Sequence, residues 1–131
     1  MTYPTPMIPC AWGELIDKIT ILEIKNNFVT DPHKRTVVAH ELSALMGIAQ
    51  PVLGTNENLN NLKAALYEIN ASLWIIEDNI RLKERDKNFD QDFVALARSV
   101  YITNDKRADL KQKINLLLRS EFSEVKNYKP Y

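Results

Sequence analysis

The sequence holds a single cysteine, Cys10, in 131 residues. An internal disulfide is therefore impossible, and a reducing compartment is the simpler setting. A cytoplasmic protein is the expectation. Glycine is nearly as scarce, at three, so no glycine-rich phosphate loop can be written anywhere. Hairpin dipeptides such as Asn-Gly are absent too. Both absences push towards an all-helical fold. Neither sign of charge is in surplus, because 17 Lys and Arg balance 17 Asp and Glu. That balance argues against a nucleic-acid backbone binder and against a polybasic membrane-surface protein. No unbroken apolar run approaches the roughly 20 residues of a membrane span. The start of the chain, with Pro4, Pro6 and Pro9 and no basic stretch, does not have the pattern of a signal peptide.

Apolar periodicity is what the sequence has in quantity. Leu59, Leu62, Leu66, Ile69, Leu73, Ile76 and Ile80 follow one another in steps of three and four. Such spacing lays one apolar seam along a single helix, uninterrupted by Gly or Pro. From Leu59 to Arg85 this helix is roughly 40 Å long at about 1.5 Å per residue. A first helix is expected from about Ala11 to Val29. It is apolar on one broad side (Trp12, Leu15, Ile16, Ile19, Leu22, Val29) and on a narrower one (Ile21, Ile24, Phe28). A helix apolar on two sides is usually sandwiched between neighbours.

Asp31-Pro32 suits an N-cap and first helical position. The second helix should then run to about Gln50, where Pro51 ends or kinks it. Asp90 suits the N-cap of a fourth helix, which extends to Phe122, continuous or kinked near Asn104. The short turn at 86–90 makes helices three and four antiparallel neighbours. The expected fold class is all-α, a four-helix arrangement built on a long antiparallel, coiled-coil-like hairpin. It forms a single helical domain over residues 1–131, with an extended arm at 1–10 and a loose tail at 126–131.

Several polar residues fall on or beside the apolar faces: Glu23 in the first helix, Asn70, Glu77 and Arg81 in the third, and Tyr101, Asn104, Arg107 and Lys111 in the fourth. The antiparallel register puts Asn70 level with Arg107 and brings Glu77 within reach of it. Buried charges must be paired and hydrogen-bonded, so Glu77 and Arg107 are expected within a few ångströms, directly or through one bridging group. Such a cluster serves either as an ion-pair network fixing helix register or as a pocket for a small anionic or carboxylate ligand. The first role is the commoner one in helical bundles.

Enzyme signals are thin. His33 and His40 belong to no Glu-x-x-His pair, so the di-iron bundle pattern fails. Glu14 and Asp17 are spaced to share a magnesium ion, but acids at a solvated helix start are more common. No catalytic residue, metal or cofactor is expected.

Three blocks carry a resemblance. They run from Gly13 to Lys25, from Leu73 to Arg81, and from Ala97 to Asn115. Together they resemble an uncharacterised family of small all-helical bacterial proteins, known as a domain of unknown function, over about residues 13–115. The resemblance implies no activity. The expected role is a non-enzymatic module that forms a homodimer or binds another protein, with a ligand-binding bundle as the alternative.

Overall fold

The computed structural model describes all 131 residues. Four helices account for the fold: α1 (Trp12–Phe28), α2 (Pro32–Leu53), α3 (Glu57–Arg85) and α4 (Gln91–Leu117). There is no strand. The starts follow local chemistry. Asn56 accepts a hydrogen bond from the Leu59 N–H at 3.1 Å and so caps α3, and Asp90 does the same for Phe93 at 3.0 Å and caps α4. Asp90 also receives the Lys83 ammonium at 2.9 Å. These two contacts, the lysine first, hold its carboxyl below the usual carboxylate range.

Two helix ends differ from expectation, and one cap lacks its expected side-chain bond. The second helix passes through Pro51 to Leu53. Proline removes one N–H near the end of the helix, while the burial of Leu53 in the core favours one more turn. Asp31 precedes Pro32 but makes no side-chain cap bond. The fourth helix is unbroken at Asn104 and stops at Leu117, so Phe122 lies beyond it and is exposed.

The organising element is α1, the shortest helix. It packs against all three others, as its two apolar sides predict. Ile16, Ile19, Leu22 and Ile24 are buried on it. Ile16 and Ile19 join Ala49 and Leu53 of α2, Leu59 and Leu66 of α3 and Ile114 of α4 in one core cluster. The long seam of α3 is buried only where α1 and α2 reach it. Leu59 and Leu66 are inaccessible to solvent, whereas Leu73, Ile76 and Ile80 are only partly buried.

α2 is the least covered helix. It packs mainly on α1, and only Ala49 and Leu53 are buried among its 22 residues. By length and composition α2 is apolar enough to cross a membrane. No unbroken run signals this, because neutral residues (His40, Ser43, Gly47, Gln50) interrupt the apolar ones without adding charge.

The last segment, expected to be loose from Lys126, lies back along α4. Ser123 donates to Gln112 at 2.6 Å, Tyr131 donates its hydroxyl to Asp105, and the Tyr131 ring meets Tyr101 edge-on. The Asp105 acceptor raises the Tyr131 pKa.

Candidate functional site

The buried polar groups converge on one residue of α1, Asp17. Gly13, Asp17, Thr20 and Ile24 repeat at steps of four, three and four, which aligns them on one side of the helix. All four are buried. The Asp17 carboxylate is met by the Arg107 guanidinium from α4 in a two-pronged contact, Nε to Oδ1 at 2.9 Å and Nη2 to Oδ2 at 2.5 Å. Asn70 of α3 donates its side-chain amide to Asp17 Oδ1 and to Thr20 Oγ1, both at 2.9 Å. Thr20 in turn donates to the Asp17 main-chain carbonyl at 2.7 Å. The Asp17 hydrogen bond raises the pKa of Arg107 further, against the opposing effect of burial. No buried side-chain nitrogen or oxygen lacks a partner. The arrangement ties three helices at one level.

A second polar cluster holds the start of α1. Ala11 supplies no side-chain cap. Instead the Gly13 N–H donates to Asn115 Oδ1 at 2.7 Å and the Trp12 N–H donates to Ser120 Oγ at 3.2 Å. Orphan donors of α1 are therefore satisfied from the far end of the chain. One turn away the buried Lys111 ammonium lies 3.0 Å from Glu14 and 2.8 Å from Glu124. Burial opposes the charge on Lys111, but the two carboxylates outweigh it and its pKa is raised. Lys111, then Lys126, lowers the Glu124 carboxyl to about 2.

The close approach of α1 to α4 depends on Gly13. A Cβ there would collide with the main-chain carbonyl of Lys111 and press on the Asn115 side chain that caps α1. Gly13→Ala is expected to cost about 1–3 kcal/mol through overpacking. Urea unfolding checks this, and an unchanged midpoint would show that the two helices separate freely.

The eight residues singled out by sequence divide as follows. Asn70, Glu77, Arg81, Asn104 and Arg107 line one open cleft of ≈ 450 Å³ beside Trp74. Glu23 points elsewhere and pairs with Lys63 at 2.8 Å. Tyr101 is exposed at the tail, and Lys111 belongs to the α1 cap. Glu77 and Arg107 share this cleft but form no direct ion pair. Arg107 takes Asp17, and Glu77 pairs with Arg81 of its own helix at 3.3 Å in solvent. The side chains of Glu14 and Asp17 likewise diverge, to Lys111 and to Arg107, so they do not form a shared cation site.

Sequence reasoning about the cluster missed Asp17, Thr20, Gly13 and Asn115. The available signal was the polar insertion within the stripe from Gly13 to Ile24.

Residues 8–131 match the model of a family described as a family of unknown function (DUF6165). The matched span includes the C-terminal segment that caps α1 and covers α4. No curated protein and no solved structure matches the chain.

Proposed function

The chain belongs to the DUF6165 family of unknown function, and we propose that it acts as a non-enzymatic helical module that self-associates. The observation that carries this reading is the surface. The chain exposes 9481 Å², whereas a folded monomer of 15.1 kDa exposes roughly 7,100 Å². The extended arm at 1–10 accounts for part of the difference. The exposed C-terminal segment accounts for another part, and apolar side chains on the helices and the turn before α4 add to it: Val37, Ile48, Ile75, Leu82, Phe89 and Val94 are about half exposed or more. Scattered single apolar residues need no explanation, whereas apolar residues gathered on one face mark an interaction surface.

The competing reading, an anionic ligand in the cleft beside Trp74, has weaker chemistry. Arg107 is committed to Asp17, and Arg81 projects largely into solvent opposite Glu77.

Self-association links folding to concentration by mass action. The thermal midpoint of the full chain is expected to rise as protein concentration is raised a hundredfold from the low micromolar range. A midpoint independent of concentration over that range would overturn the reading.

A further inference from the structure

We propose that the C-terminal segment from Ser120 to Tyr131 is a strap that crosses to a second copy, so that each chain's strap lies on the other's α4. This rests on the self-association reading and assigns it a mode of pairing. The strap is tied to the body by side chains. Ser120 Oγ accepts from the Trp12 N–H, Ser123 donates to Gln112, Glu124 pairs with Lys111, and Tyr131 donates to Asp105. Residues 121–131 are all exposed, and no hydrogen bond between main-chain groups joins them to a helix. A second copy offers every one of these partners in the same arrangement.

The hinge is what favours the crossing. Just past the end of α4, Arg119 turns left-handed at φ 51°. The Ser120 N–H then reaches back to the Asn115 carbonyl at 2.8 Å, and the chain reverses along α4. Such a helix stop is normally built on glycine, and a residue with a Cβ is strained there. The sequence itself calls for no stop. No glycine or proline lies between Leu117 and Lys129, and Ile114, Leu118 and Phe122 continue the helical spacing past the observed end. With the hinge open, Leu118 and Arg119 join α4, for which both have high helix propensity, and the strap leads away from its own body. Lys87 is the other non-glycine residue with positive φ, in the turn between α3 and α4. There the packing of two long helices holds the turn closed. At Arg119 only the strap does. A short hinge under strain invites exchange between copies, and exchange of an identical element costs little, since each contact given up within one chain is regained from the other.

Two hinge variants of the full chain test this by sedimentation. Arg119→Gly relieves the closed turn in both chains and is expected to raise the dimer dissociation constant roughly thirtyfold. Arg119→Thr, β-branched and therefore worse at positive φ, is expected to lower it. A second measurement needs no variant. Isotope-labelled and unlabelled chains are unfolded and refolded together, and carbodiimide condenses the Lys111 ammonium with the carboxylates beside it. Glu124 lies at 2.8 Å and Glu14 at 3.0 Å. Crossed straps give Lys111–Glu124 links that join a labelled to an unlabelled peptide, whereas Lys111–Glu14 links, formed within one body, stay unmixed and serve as the control. Unmixed Lys111–Glu124 links from the dimer would show each strap on its own chain and overturn the exchange. A dimer whose dissociation constant is the same in the parent, Arg119→Gly and Arg119→Thr would overturn it too and keep self-association through another surface. A parent chain that is monomeric throughout would remove the underlying reading.

Discussion

Replacing Arg107 by Met is expected to destabilise the protein by about 3–5 kcal/mol, the usual cost of breaking a buried ion pair by removing one member. The reason is the asymmetry of the pair. Asp17 has 2% of its side chain exposed and Arg107 has 29%, so the carboxylate cannot reach water when the guanidinium is gone. Asn70 donates one hydrogen bond to Asp17, too little to compensate a buried negative charge. Asp17→Asn should cost less, because the arginine left behind is partly hydrated. The double variant Asp17→Asn with Arg107→Met should recover much of the loss, as contacting residues in one network do. Glu77→Gln, which alters only a solvent-exposed pair, should stay within about 0.5 kcal/mol of the parent. Urea unfolding at one fixed protein concentration measures all four. A loss below about 1 kcal/mol for Arg107→Met would mean that Asp17 is hydrated in solution.

Leu66→Ala is the second large effect expected, about 2–5 kcal/mol. Leu66 is inaccessible to solvent and sits in the core cluster with Ile16, Ala49 and Ile114. The methyl groups removed have contacts on every side, and the surrounding helices can close the space only in part. Leu73→Ala, two turns along the same seam, should cost less, about 1–2 kcal/mol, since a partly buried side chain beside an open cleft loses less transfer energy and leaves no closed cavity. Equal losses at the two positions would mean that the outer half of α3 is covered in solution.

These contrasts also mark what the chain order conveys and what it does not. The later three helices are legible because their starts are local: Pro32, Asn56 and Asp90 act within a turn of themselves. The apolar sides of α1 are legible for the same reason. A seam, however, shows which side of a helix is apolar and not how far its neighbour extends. The Leu59–Ile80 pattern continues past the point where α1, at 17 residues, can cover it. For that reason the shortest helix, not the longest, is the centre of the core.

The polar site shows the same limit. The expectation of a Glu77–Arg107 pair considers α3 and α4 alone. The actual partner, Asp17, comes from α1, 90 residues away in sequence. Asn70, Arg107 and Lys111 stand out in sequence as polar residues on apolar faces, but their partners depend on which other segment lies over them. Asp17 itself reads as an ordinary acid in the opening turns of a helix until its neighbours Gly13 and Thr20 are seen to share its buried side. The tail is the least legible part. Glu124 and Tyr131 are anchored by isolated side-chain contacts, among them those to Lys111 and Asp105, and no periodic pattern announces such contacts.

The most direct test of the central claim is the mass of the chain in solution, by light scattering coupled to size exclusion at high micromolar concentration. A self-associating module gives twice the chain mass of 15.1 kDa. A single species at 15.1 kDa under those conditions would contradict the account.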